Sequence, residues 1–322
     1  MITMKKRISY LSTARVMGIL LVVLGHSYPF NVPLGQGFEF LRTFIYSFHM
    51  PLFVFLSGFL AAKSNHIPKD YIANRAGKLL IPYFVLSLAF FLPKVLLQGY
   101  LNDTVSFSFT YLLRSELIPR ENVWGHFWFL PVIFYLGVFS VLLKTVFQKP
   151  WARTIILICS YLVLWLPKTT DWFALEDLRL NLFWYVLGYI LSDCDGLECL
   201  IKKKFWLLGI PLAWVLLWLK VSLPALIPLL MVGAVLCVSS MIKSKCKIYA
   251  FLDRHSFTIF LLSWPVQAAA EIILNRILHL PVWLCVTGMF AVGIAGPIAC
   301  IFLIRWIEKY IPLRRIKQIV GM

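Results

Sequence analysis

Acidic residues are scarce: 14 Asp and Glu stand against 31 Lys and Arg in 322 residues, a formal charge of +17. Charge of either sign reaches only 14%, whereas 61% of residues are hydrophobic and mean hydropathy is +0.83. That excludes a soluble globular domain, in which about a quarter of residues are charged. Cysteine offers no framework. The seven, at 159, 194, 199, 237, 246, 285 and 300, are odd in number and lack metal-ligand spacing with His, so neither disulfides nor a metal site is expected. No small-x-small cleavage site follows the basic and then apolar start MITMKKRISYLSTARVMGILLVVLGHSYPF, which therefore reads as a first transmembrane helix and not a removable leader. Internal repeats, low-complexity tracts and room for an added soluble domain are also lacking.

What remains is a polytopic, all-α membrane protein. Apolar runs recur at 13–28, 40–62, 79–97, 126–147, 154–167, 180–192, 205–219, 223–242, 256–275 and 281–305, predicting about ten transmembrane helices in one domain over 1–322, with a basic amphipathic tail from about 306. An even number of spans puts both termini on one side. Of the 31 basic residues, 23 fall in the loops of that side and eight on the other, which places both termini in the cytoplasm. The positive charge is thus a topology signal, and no nucleic-acid partner is expected.

The segment ARVMGILLVVLGHSY puts a cation and an imidazole into an apolar helix. Arg15 and His26, eleven residues apart, return to one helix face about 20° from register, with a rise of roughly 16 Å between them. Arg15 reads either as a topology anchor or as an anion site at a helix N-terminus. His26 is either a buried imidazole bonded to a neighbouring helix or a functional group, since ionisable residues inside a membrane are costly. In the next span His49, within FHMPLFVFLSGFL, falls at a depth similar to that of His26, which suggests a polar chamber beside Pro51. Arg75 and Lys78, at i and i+3 on the inner edge, are ordinary cytosolic charge alone; with Arg15 they form a cluster fit for a polyphosphate ligand. The longest outer connection, roughly 98–125, carries Glu116 and leads into His126 and Trp128 of HFWFLP, either an aromatic belt or a set of aromatic and polar groups of the kind sugars use.

Taken together, the Arg15/His26 spacing, FHMPLFVFLSGFL, the Arg75/Lys78 pair before LLIPYF, and HFWFLP resemble integral membrane acyltransferase family 3, particularly sugar O-acetyltransferases similar to fucose 4-O-acetylase. The resemblance covers the length of the chain. It implies O-acyl transfer, most often acetyl, from cytosolic acetyl-CoA to a hydroxyl of a cell-surface or lipid-linked glycan, in a multi-pass protein of the bacterial cytoplasmic membrane. It further implies that Arg15 and His26 are essential, that Arg75 and Lys78 hold the CoA phosphates, and that Trp128 walls the chamber. One departure stands in SFTIFLLSWPV, where family members commonly carry a histidine and this chain has Ser263 and Trp264.

Residues and resemblance meet on one scheme. CoA phosphates dock at Arg15, Arg75 and Lys78, and His26 takes the proton of the acceptor hydroxyl as it attacks the thioester. His49 or Ser57 orients His26 or donates to the oxyanion, and His126, Trp128 and Glu116 face the acceptor. Expected partners are acyl-CoA, the glycan acceptor and membrane lipid, with a homo-oligomer left open. The competing reading is a transporter or flippase for an anionic or lipid-linked sugar, although paired discontinuous helices are not evident.

Overall fold

The computed structural model describes residues 9–322 except 31, 65–67, 100–104, 147, 193–200, 222, 243–246 and 311–313. Cys194, Cys199 and Cys246 lie outside the described residues, as do Asp103 and the basic residues Lys5, Lys6 and Arg7. Among the described residues the regular structure is entirely helical. The helices are α1 (Ser9–Gly25), α2 (Gln36–Ala62), α3 (Pro68–Leu97), α4 (Phe109–Leu117), α5 (Phe129–Val146), α6 (Pro150–Val163), α7 (Leu175–Leu191), α8 (Gly209–Trp218), α9 (Leu226–Met241), α10 (Lys247–Glu271), α11 (Val282–Ile307) and α12 (Arg314–Ile319).

Each of the ten apolar runs falls on a helix. Five segments are long and apolar enough to cross a membrane: Gln36–Ala62, Lys69–Leu97, Gly125–Leu142, Lys247–Ile277 and Val282–Ile307. The others are shorter, or, in α7, carry Glu176, Asp177 and Arg179 near their start. Only 28% of the apolar window in α3 and 22% of that in α11 is buried inside the protein, so most of their apolar surface faces outward, as lipid contact requires.

Two close pairings fix the bundle. Where α2 crosses α7, a Cβ on Gly58 would lie 2.0 Å from the Tyr185 carbonyl oxygen and one on Gly188 2.1 Å from that of Phe55. Both positions must be glycine for the backbones to approach so closely. The second pairing sets α1 beside α10, running in the same direction. The Tyr249 hydroxyl donates to the Thr13 carbonyl (3.1 Å), Arg15 pairs with Asp253 (3.2 Å), and His26 meets Trp264. Eleven residues separate the members of the last two pairs on each helix, so the helices keep register over three turns.

Helix α1 stops at Gly25, short of the continuation to Tyr28 expected from its apolar pattern. The carbonyls orphaned at a helix end need donors, and the Val23 carbonyl receives two: Ser27 Oγ (2.6 Å) and Gln267 Nε2 (2.8 Å). Gln267, fully buried, also donates to Ser27 Oγ (2.7 Å), and Glu271 one turn on accepts from the Phe30 amide (2.9 Å). These bonds close the helix just before His26 and fix the chain that follows it.

The expected outer connection is largely structured. Helix α4 begins at Ser108, whose hydroxyl accepts from the Tyr111 amide (3.1 Å). One face of α3 then holds the segment beyond it: the Tyr83 hydroxyl donates to the Glu116 carbonyl (2.8 Å), Ser87 and Asn122 bond each other, and Lys94 Nζ donates to the Val123 carbonyl (2.6 Å). His126 thereby enters the bundle.

Candidate active site

The pinned connection, the end of α1 and the middles of α2 and α10 enclose a chamber of about 500 Å³ lined by His26, Tyr46, His49, Arg120, His126, Trp128 and Trp264, among others. Three imidazoles expected from the sequence are thus brought into one cavity, with Trp128 in its wall. The His26 and His126 ring centroids are 6.1 Å apart.

Each ring is held differently. His49 Nδ1 lies 2.8 Å from the carbonyl of Ile45, one turn back on its own helix; a carbonyl only accepts, so Nδ1 carries the hydrogen and Nε2 of the neutral ring offers a lone pair. His26 Nδ1 lies 3.1 Å from the Tyr46 hydroxyl, and Trp264 stacks on the ring with centroids 4.4 Å apart and planes 21° from parallel. His126 packs between Trp264 (5.0 Å) and Phe260 (5.3 Å). Pro51 and Pro265, inside α2 and α10, lack the amides that would bond the Ser47 and Leu261 carbonyls, and the Leu261 carbonyl faces the His126 ring instead.

On the chamber's other flank Arg120 lies over the Trp128 ring at 4.4 Å. Its Nε donates to both oxygens of the buried Asp177 (3.0 and 3.1 Å), and Nη2 completes the fork. This ties the connection after α4 to α7.

Arg15 opens into a second cavity, of about 240 Å³, together with Ser57. Its partner Asp253 has a side chain only 2% exposed, against 28% for Arg15, so the guanidinium is fixed by a buried carboxylate while one side stays open to the cavity. Met50 and Phe260 line both this cavity and the histidine chamber and form the partition between them. Beyond the chamber, Tyr46 is shared with an outer cavity of about 490 Å³ that includes Glu39 and Arg42. At the opposite end, Phe257 is shared between the Arg15 cavity and one of about 580 Å³ beside Lys78. Four spaces therefore follow one another through the bundle.

Arg75 and Lys78 do not reach one space. Lys78 lines the end cavity, whereas Arg75 turns to α5, where Nη1 donates to the Ile133 carbonyl (3.0 Å). The absence of a side chain at Gly137 makes room for it, because a Cβ there would lie 2.7 Å from Arg75 Cδ and Nη1. Glu116 likewise stays out of the chamber lining; its carboxyl is buried behind α3, and that burial raises its pKa to about 7. No cluster of His, Cys, Asp or Glu suited to a metal occurs among the described residues, and the described cysteines Cys159, Cys237, Cys285 and Cys300 are free.

The residues that sequence reasoning passed over are Tyr46, Arg120, Asp177, Asp253 and Gln267, together with the position of Trp264 against His26. Part of the signal was present. Asp253, Phe260, Trp264, Gln267 and Glu271 follow helical spacing on α10, a polar and aromatic stripe in an apolar helix.

A bundle that is helical throughout its described regular structure, with five helices fit to cross a membrane and a histidine-lined cavity inside it, defines an integral membrane protein. The family model for the acyltransferase domain matches residues 8–303, and the chain belongs to acyltransferase family 3. No curated protein and no solved structure matches it.

Proposed function

We propose that this acyltransferase moves an acetyl group from cytosolic acetyl-CoA to a hydroxyl of a cell-surface or lipid-linked glycan at the outer face of a bacterial cytoplasmic membrane, with about ten spans and both chain ends in the cytosol. The observation that carries the reading is the order of the four spaces. Cationic cavities at Lys78 and Arg15 lead to the histidine chamber, and a further cavity at Arg42 adjoins the chamber's far side. A donor with an anionic head and a long thin arm fits the first two spaces. The acceptor meets it from the other end.

In the chamber the acceptor oxygen attacks the thioester carbonyl carbon. A C–O bond forms, the C–S bond breaks, and the hydroxyl proton passes to His26 and then to the departing CoA sulfur, leaving an ester and free CoA thiol. With Nδ1 opposite Tyr46 and one face against Trp264, His26 has Nε2 for this work. His49, whose Nδ1 hydrogen is committed to Ile45, orients a hydroxyl through Nε2 and is not the oxyanion donor when neutral. Ser57 stands in the Arg15 cavity, on the side from which the thioester arrives. Arg15, held by Asp253, and Lys78 face the donor's phosphates, and Arg75 positions the α3–α5 contact beside them. His126 and Trp128 wall the acceptor side.

At the acceptor end four basic residues pair with carboxylates, Arg114 with Glu121, Arg120 with Asp177, Lys168 with Asp171 and Arg179 with Glu176, and Arg42 shares its cavity with Glu39. Such a rim suits an uncharged sugar more than a polyanion. The test compares base-labile acetyl esters on surface glycans of cells that make the protein and cells that do not. Acetylation present only in the first supports the proposal; identical glycans in both, with the protein present in the membrane, overturn it.

A further inference from the structure

Helix α12 packs against α3, and the cavity of about 580 Å³ lies between them. Two ammonium groups line it, Lys78 from α3 and Lys317 from α12, with Asn74 one turn before Lys78. Lys317 pairs with Glu308, while Lys78 has no carboxylate partner among the described residues. The segment after α12 is anchored to the bundle, since the Thr258 hydroxyl donates to the Gly321 carbonyl (3.2 Å). Its volume is that of a small-molecule site, and the shared Phe257 makes it adjacent to the Arg15 cavity.

We propose that this cavity is the seat of the phosphorylated nucleotide end of acyl-CoA, and that Lys317 is a phosphate ligand facing Lys78 across it. The inference rests on the acyl-CoA reading above and adds a binding residue from an element outside the four sequence motifs. Two ammonium groups and an amide lining one cavity match a dianionic phosphate, which needs several donors around one centre. The ion pair with Glu308 keeps Lys317 in place until the phosphate displaces the carboxylate. From this seat the pantetheine arm passes Phe257 into the Arg15 cavity, and the thioester reaches the partition at Met50 and Phe260.

The same lysines suit an anionic lipid headgroup, because α12 is basic, so the experiment separates the two sources of phosphate. Calorimetric titration of the purified full chain with CoA and with 3′-dephospho-CoA, in phosphatidylcholine nanodiscs, reads the contribution of the 3′-phosphate. Wild type is expected to prefer CoA about tenfold, the size of one charge-assisted hydrogen bond. Lys317→Gln should cut that preference to about threefold, Lys78 still holding the phosphate, with the affinity for 3′-dephospho-CoA unchanged, and Lys317→Arg should restore most of it. An undiminished preference in Lys317→Gln overturns the inference while leaving the acyl-CoA reading intact; failure of wild type to bind either compound overturns both. In nanodiscs containing phosphatidylglycerol the preference should persist. Its loss there in wild type, with none in phosphatidylcholine, would assign Lys317 to lipid and overturn the proposal.

Discussion

Trp264 lies flat against His26, with ring centroids 4.4 Å apart and planes 21° from parallel. This contact joins the end of α1 to the middle of α10. An aromatic face against imidazole holds the ring in plane and favours the cation formed when His26 takes a proton. Trp264→Ala should therefore lower kcat for acetyl transfer by about tenfold, the rate equivalent of about 1.4 kcal/mol, while the KM for acetyl-CoA stays within about twofold. Trp264→Phe should retain most of the rate. Steady-state kinetics on the purified variants checks both.

Gln267 acts one turn further along the same helix. Without its amide, the Val23 carbonyl and Ser27 Oγ lose a buried donor and the chain around His26 loosens. A net hydrogen bond of this kind is worth about 1 kcal/mol, and an unsatisfied partner adds to the loss. Gln267→Leu is expected to reduce kcat about tenfold and to lower the melting temperature in detergent; a variant with wild-type kcat would show that His26 is held by other means.

Arg15 and Asp253 form a pair in which the carboxylate is the buried partner. Removing Arg15 leaves a buried charge, whereas removing both groups leaves none. Arg15→Ala should therefore be more destabilised than Arg15→Ala with Asp253→Ala. Thermal unfolding of the two proteins in detergent gives the ordering directly, and the reverse order would mean that Asp253 is satisfied without Arg15.

The α2–α7 crossing has no slack. Gly188→Val should prevent the approach at the Phe55 carbonyl and sharply reduce folded protein recovered in detergent, by well over the 1–3 kcal/mol typical of overpacking. Gly37→Ala, where a Cβ meets nothing within 4 Å, is the matched control and should be neutral.

Glu116 supplies a pH dependence. Burial raises its carboxyl to about 7 in the fold, above an unfolded value near about 4.3. The folded protein then binds more proton than the unfolded chain between those values, so this group's contribution to stability falls as pH rises from about 4.3 to 7 and is level above. Glu116→Gln should flatten that part of the melting-temperature profile. An unchanged profile would show that the carboxyl is ionised without penalty.

Much of the fold was legible because apolar runs with loop charges between them read directly as helices, and all ten coincide with helices in the structure. The first helix was read too long, since a hydrophobic pattern does not register that Ser27 and Gln267 close it at Gly25. Arg15, His26, His49, His126 and Trp128 were legible as charged, titratable or aromatic groups in unusual places. Arg75 and Lys78 looked equivalent at three-residue spacing; what separates them is the slot at Gly137, 62 residues away in sequence. The Arg120–Asp177 fork is similarly a contact across 57 residues and leaves no local pattern. By contrast, the stripe from Asp253 to Glu271 could have been read from its period alone.

The central claim is that His26 carries out proton transfer in acyl exchange inside the chamber. Membranes containing either wild-type protein or His26→Ala at equal abundance are incubated with radiolabelled acetyl-CoA, and base-labile label is counted in the glycan and lipid-linked fractions. The account predicts label with wild type and background with His26→Ala. Label at the wild-type level in the variant would contradict it.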